Sequence, residues 1–147
     1  MTALIVAVEV PADPSGLLPP VTSDTAPFWN GLAQGELRLQ GCDACNKARW
    51  PVSPVCPHCG APGGTFRTLS GRGTVFSWVR YHRSYLPEFD PLLPYVSATV
   101  LLSEGPRLPA RLRDLNGDPT IGQPVELAVE HWPGGRHVAT FRPAEAP

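Results

Sequence analysis

Apolar and polar positions change rhythm several times along this chain. Over residues 73–85, 95–102, 107–113, 125–132 and 137–141, β-branched and aromatic residues crowd together, and Gly, Pro, Asn and Asp separate the runs. This pattern predicts five short strands in the second half of the chain. Leu115-Asn116-Gly117-Asp118 and Ile121-Gly122-Gln123-Pro124 leave no room for a long helix before the fourth strand. Trp132-Pro133-Gly134-Gly135-Arg136 reads as a hairpin turn into the fifth. The first half reads differently. Ser23-Asp24-Thr25-Ala26-Pro27 offers capping side chains and a proline for a first helical turn. Phe28, Trp29 and Leu32 then share one face of a short helix that stops near Gly35. Residues 36–40 alternate and predict a strand, and residues 1–22 are Pro-rich and aperiodic, an extended arm.

Strand parity assigns faces. In the first of the five strands, Val75, Ser77, Val79 and Tyr81 share one side, and Phe76, Trp78, Arg80 and His82 the other. In the third, Leu108, Ala110 and Leu112 point inward and leave Arg111 and Arg113 outside. The strand count fits a small closed barrel of the oligonucleotide/oligosaccharide-binding (OB) type, with a short Greek-key sheet as the competitor. The fold class is therefore mainly β. An arm (1–22) leads to a short helix with a four-cysteine ribbon (23–69), and a five-stranded OB-fold barrel follows (70–147).

The cysteines make the ribbon. Cys42-Asp-Ala-Cys45 and Cys56-Pro-His-Cys59-Gly60 are two Cys-x-x-Cys pairs ten residues apart. Each pair presents two thiolates from a tight turn, and together they supply four soft ligands for one tetrahedral ion. Ligand softness favours Zn²⁺; iron in a rubredoxin-like site uses the same set and stays open, as do two disulfides. His58 lies inside the second pair, but four cysteines already fill a tetrahedron.

Composition narrows the rest. The 147 residues carry 12 basic and 13 acidic side chains, without the basic excess common among nucleic-acid modules. No apolar run approaches the roughly 20 residues of a membrane span, and the stretch from Ala3 to Val10 lacks the basic flank of a signal peptide. A reducing, cytoplasmic setting follows and suits thiolate ligands. Trp78, Arg80 and Arg111 are the residues a single-stranded nucleic-acid binder would use, by stacking and charge. His82, among Arg80, Arg83 and Tyr85, is the candidate base of an enzyme reading. No phosphate loop, Gly-x-Ser-x-Gly elbow or metalloprotease helix motif is present, and the four cysteines leave no free thiol nucleophile.

The order of these motifs resembles a known family. Phe28-Trp29-x-x-Leu32 precedes Gly35-Glu36-Leu37-x-Leu39-Gln40-x-Cys42-x-x-Cys45; Cys56-Pro57-x-Cys59-Gly60 and Ser70-Gly71-Arg72-Gly73-Thr74-Val75 follow. Pro94-Tyr95, Gly105-Pro106-Arg107-Leu108, Ile121-Gly122-Gln123-Pro124-Val125 and Phe141-x-Pro143 complete the series. The chain is similar over residues 25–143 to the bacterial and archaeal family of rubredoxin-like zinc-ribbon plus OB-fold proteins, long catalogued as a domain of unknown function. That resemblance implies a structural zinc on Cys42, Cys45, Cys56 and Cys59. It implies a non-catalytic partner of a thiolase-like enzyme in acyl-CoA condensation, acyl transfer or retro-aldol cleavage, helping to hold CoA or acyl-CoA. Arg80, Arg83 and Arg107 are the cations assigned to CoA phosphates, from charge alone. The arm and the Phe28-Trp29-Leu32 face are expected to dock on the enzyme. Asn46 stands where the family usually has glycine after the first pair, which requires a left-handed asparagine.

Overall fold

The computed structural model describes Ala3, Ile5–Ala7 and residues 16–145. Half of the expected arm lies outside the described residues. The part within them contains a strand, β1 (Ile5–Ala7), that runs parallel to the chain's own β8 (Pro124–Trp132) and pairs Ile5 with Val129. The backbone N–H of Ala3 also donates to Gly35 O at 2.7 Å, so this segment straps the ribbon side to the barrel side.

The helix α1 (Ala26–Ala33) starts where the sequence placed it, with proline in its first turn. Its cap differs from expectation. Thr25 makes no side-chain bond to a helix N–H; its hydroxyl instead accepts the Thr22 N–H at 3.0 Å. The C-terminal stop follows the expected chemistry. Glu36 N–H donates to Gly31 O at 2.8 Å and Gly35 N–H to Leu32 O at 3.0 Å, a Schellman closure that needs the positive φ of Gly35 (73°).

Next come β2 (Leu37–Gly41), β3 (Ala48–Arg49) and β4 (Thr65–Leu69), a three-stranded antiparallel sheet ordered β3-β2-β4. The flanking strands β3 and β4 were not expected, because runs of two and five residues interrupted by arginines carry little periodic signal. The barrel follows: β5 (Arg72–Tyr81), β6 (Tyr95–Leu102), β7 (Arg107–Leu112), β8 and β9 (Arg136–Pro143). The order β8-β5-β6-β7-β9, with β8 also paired to β9, closes five strands into an OB-like barrel. β5 stops four residues short of the expected end. The Ser84 hydroxyl takes the Leu86 N–H at 3.1 Å and turns the chain into a 3₁₀ helix over Pro87–Leu92.

A register shift between Val75 and Ser77 corrects the face assignment of β5. Val75 is buried, whereas Phe76, Ser77, Val79 and Tyr81 are exposed and Trp78 and Arg80 are half-buried. The extra residue of a bulge inverts parity beyond it, so Val75 does not share a face with Val79 and Tyr81. On β7 the inward set is as expected, with Leu108, Ala110 and Leu112 all buried.

One apolar core runs through the molecule. Phe28, Leu32, Leu37 and Leu39 of the ribbon half join Val75, Val100, Leu108, Val129 and Phe141 of the barrel in a single cluster. The helix face read as a docking surface is thus internal: Leu32 is fully buried, Phe28 nearly so, and Trp29 packs edge-on against Phe28 at 5.0 Å. An eight-residue helix has only one apolar stripe, and the core between ribbon and barrel occupies it.

Candidate metal centre and surrounding clefts

The two cysteine turns are near copies of each other. Cys42 N–H donates to Lys47 O at 2.9 Å and Asn46 N–H to Cys42 O at 2.9 Å; the second turn repeats this with Cys56 to Ala61 O at 2.8 Å and Gly60 to Cys56 O at 2.9 Å. Asn46 (φ 64°) and Gly60 (φ 79°) occupy equivalent left-handed positions, so asparagine adopts the conformation the first turn demands. Arg67 of β4 secures that turn by donating to Asn46 Oδ1 and, at 3.1 Å, to Cys42 O.

The four sulfurs lie within 4.8 Å of one another, with Cys42 and Cys59 Sγ 3.5 Å apart and Cys45 and Cys56 Sγ 3.7 Å apart. Tetrahedral bonds of about 2.3 Å to zinc place sulfurs about 3.8 Å apart, so the donor set fits one ion. Its acidities point the same way. The Cys45 backbone N–H, donating to Cys42 Sγ at 3.4 Å, draws the Cys42 thiol down to about 6, with burial opposing. At Cys59 the Ala61 N–H pulls down, but the neighbouring sulfurs and burial push the thiol up to about 11. Four crowded thiols cannot all ionise without a cation among them, and a dication supplies that charge. Four cysteine sulfurs so placed can close a tetrahedral shell around one ion and leave no position for substrate or water, the arrangement of a structural site. His58 lies exposed in the second turn, outside the sulfur cluster.

Behind the turns sits Arg49, buried on β3, which the sequence gave no reason to single out. It donates to Ser53 O at 2.9 Å and to Gly63 O, tying the chain on both sides of the second turn. Gln40, also buried, accepts the Ser53 N–H at 3.0 Å.

The three arginines assigned to phosphates are not brought together. Arg107 lies on the ring of Phe76 at 4.0 Å and lines a cleft of about 650 Å³ between ribbon and barrel, with Lys47, Trp50 and His58. Arg80 is paired with Asp118 at 2.6 Å and borders a different cleft, next to Arg111 and Arg113. Arg83 sits beyond β5, 5.8 Å from the ring centre of Tyr85. His82 is exposed near it.

The nucleic-acid stripe does not form either. Trp78 packs against the core, and Arg111 and Arg113 donate to Glu130, a carboxylate only 1% exposed, whose other oxygen accepts Trp132 Nε1 at 3.0 Å. These arginines were expected outside; a buried acid on β8, nineteen residues from Arg111, draws them in. Exposed apolar surface is concentrated elsewhere. Phe76, Val79 and Tyr81 on β5 and Tyr85 and Leu86 beyond it are all exposed, and β5 pairs with β8 only over Arg72–Thr74, leaving one edge of its second half unpaired among the described residues.

Comparison with known proteins agrees with this architecture. Residues 29–63 match the family described as ChsH2, rubredoxin-like zinc ribbon domain, and residues 66–130 match ChsH2, C-terminal OB-fold domain. A 3-oxo-4,17-pregnadiene-20-carboxyl-CoA hydratase alpha subunit of Mycobacterium tuberculosis is 37% identical over 125 residues, 82% of this chain; the chain spans only 39% of that relative's length. A DUF35 domain-containing scaffold protein of Pyrococcus furiosus is 36% identical over 103 residues, covering 69% of this chain and 75% of the relative. A solved structure titled Ltp2-ChsH2(DUF35) aldolase superposes with a TM-score of 0.77 at 34% identity, over 87% of this chain and 100% of the matched one. No helix among the described residues is long and apolar enough to cross a membrane.

Proposed function

Since this chain belongs to the ChsH2 (DUF35) family of rubredoxin-like zinc-ribbon plus OB-fold proteins, we propose that it is a non-catalytic accessory subunit of an acyl-CoA enzyme. Its partner is a thiolase-like protein carrying out condensation, acyl transfer or retro-aldol cleavage in a reducing cytoplasm. The observation that carries this reading is the likeness, over the whole of the matched chain, to a chain of the structure titled Ltp2-ChsH2(DUF35) aldolase. The chemistry of the residues supports it. All four cysteines are committed to a closed metal shell, which leaves no open position for catalysis.

The docking surface moves from the helix, which is buried, to the exposed β5 strip. Phe76, Val79 and Tyr81 together with an unpaired strand edge offer a partner both apolar contact and backbone hydrogen bonds. CoA phosphates are assigned to the ribbon–barrel cleft, where Arg107 is joined by Lys47 and His58. Arg80 contributes less, because Asp118 already neutralises it, and Arg83, exposed beside Tyr85, lies away from this cleft.

Co-expression with a thiolase-like protein tests the reading. The purified chain alone is expected to turn over no acyl-CoA, and the complex to survive raised salt, since apolar anchors dominate its interface. Val79→Asp is expected to weaken the complex at least about tenfold, as burying an unpaired charge does, with zinc content unchanged. Acyl-CoA turnover by the chain alone, lost on His82→Ala, would falsify the accessory role. Steeply salt-sensitive oligonucleotide binding would replace it with the nucleic-acid class.

A further inference from the structure

At one end of the barrel, where β5, β7 and β8 finish and β6 begins, a cleft of about 360 Å³ is lined by Arg80, Arg111, Arg113, Tyr95 and Glu130. We propose that this cleft binds a small monocarboxylate, gripped by the guanidinium of Arg111 with Arg80 and Arg113 at its rim. The inference stands apart from the accessory-subunit reading and from the zinc centre.

Glu130 shows why the arginines face a cleft rather than each other. It is fully buried, and both its oxygens are engaged: one takes Arg111 and Arg113, the other takes Trp132 Nε1 at 3.0 Å. One carboxylate therefore holds two guanidinium groups in fixed orientation and offsets only one of their charges. Arg113 has a second partner, Asp114 at 3.1 Å, and Arg80 has Asp118 at 2.6 Å. Arg111 has none beyond Glu130 among the described residues, although its side chain is only 19% exposed. A guanidinium carries five N–H donors in a rigid fork, and at such burial donors without protein partners are costly unless water or an oxyanion meets them. No nitrogen of Arg111 is both buried and unpartnered, so its remaining donors reach the open space of the cleft.

The rest of the lining selects the ligand. Leu92, Pro94 and Leu115 give the cleft an apolar wall, which suits a short hydrocarbon body behind the anionic group. Tyr95, its phenol held above the usual range by burial, stays a neutral hydroxyl there. Charge argues for one negative charge rather than two or three. Three guanidinium groups face Glu130 inside and Asp114 and Asp118 outside, and both aspartates are more than half exposed, where water weakens their hold. The three cations and three carboxylates balance formally, but with the two aspartates held only weakly a single added charge is tolerated. The remaining donors of Arg111 match a planar carboxylate in two parallel hydrogen bonds. A phosphate dianion would bring more charge than the cleft balances.

Butyrate is the probe, with inorganic phosphate as comparator, titrated into the zinc-loaded full chain while the arginine Nε and Trp132 indole resonances are followed. Saturable shifts with butyrate and weaker binding of phosphate are expected. Arg111→Lys keeps the charge beside Glu130 but loses the fork, and should weaken butyrate about tenfold or more. Arg80→Gln should cost about threefold, as a rim charge does. Leu115→Glu places a rival carboxylate at the mouth; it should abolish binding with Arg111 intact, and it decides the matter if Arg111→Lys does not fold. Absence of saturation, equal affinity in Arg111→Lys and Leu115→Glu, or phosphate binding at least as tight as butyrate would each overturn the proposal.

Discussion

Glu130 has no neighbour in sequence that announces its role, yet it is among the most buried side chains of the chain. A carboxylate there is tolerable only because two guanidinium groups and an indole N–H satisfy it. Glu130→Ala would leave Arg111 and Arg113 side by side without the carboxylate they share. The expected loss is about 3–5 kcal/mol, the usual result of breaking a buried charge cluster from one side; a denaturant midpoint within error of the parent would contradict the cluster's importance. Asn46 is the opposite case. Its left-handed backbone follows directly from its place after Cys45, where the turn admits glycine or asparagine and little else.

Among elements, the β8–β9 hairpin carries a pH signature. His131 and His137 are register partners whose rings stack at 4.7 Å, and burial, then the charge of His131, holds His137 below the usual imidazole range. The unfolded chain therefore takes up a proton before the folded one as pH falls. Stability contributed by the neutral ring is present above about pH 6.5 and is lost as pH drops through that value towards the lower folded one. Thermal melts at stepped pH should show this decline, and His137→Gln should flatten it; an unchanged slope in the variant would assign the dependence to other groups. The helix α1 illustrates how an element is read correctly and used unexpectedly. Its span, proline and glycine stop were legible, but which neighbour takes the Phe28–Leu32 face depends on strands that arrive later in the chain.

At the scale of the whole molecule, ribbon and barrel share one apolar cluster, and the β1 segment spans both. Metal should accordingly stabilise more than the ribbon. Stripping zinc with a chelator, or Cys56→Ser, is expected to lower the unfolding transition reported by barrel tryptophans such as Trp78 and Trp132 along with that of the ribbon, because binding energy at a thiolate site is folding energy. Two well-separated transitions, with the barrel unaffected by metal, would show the shared core to be energetically minor.

The sequence by itself determined what local rules govern. It foretold that the four cysteines gather in one cluster, because two-residue spacers within a turn bring thiolates together wherever the turns occur. It located the five barrel strands to within a few residues, because alternation and turn residues act over short spans. The tertiary structure decided what depends on partners distant in the chain. A single bulge at Val75–Ser77 reversed the faces of β5, which no count of alternating residues can foresee. Short strands β3 and β4 exist because β2 offers them hydrogen bonds. The inward turn of Arg111 and Arg113, and the burial of the helix face, followed from closure of the barrel around groups that only folding makes neighbours.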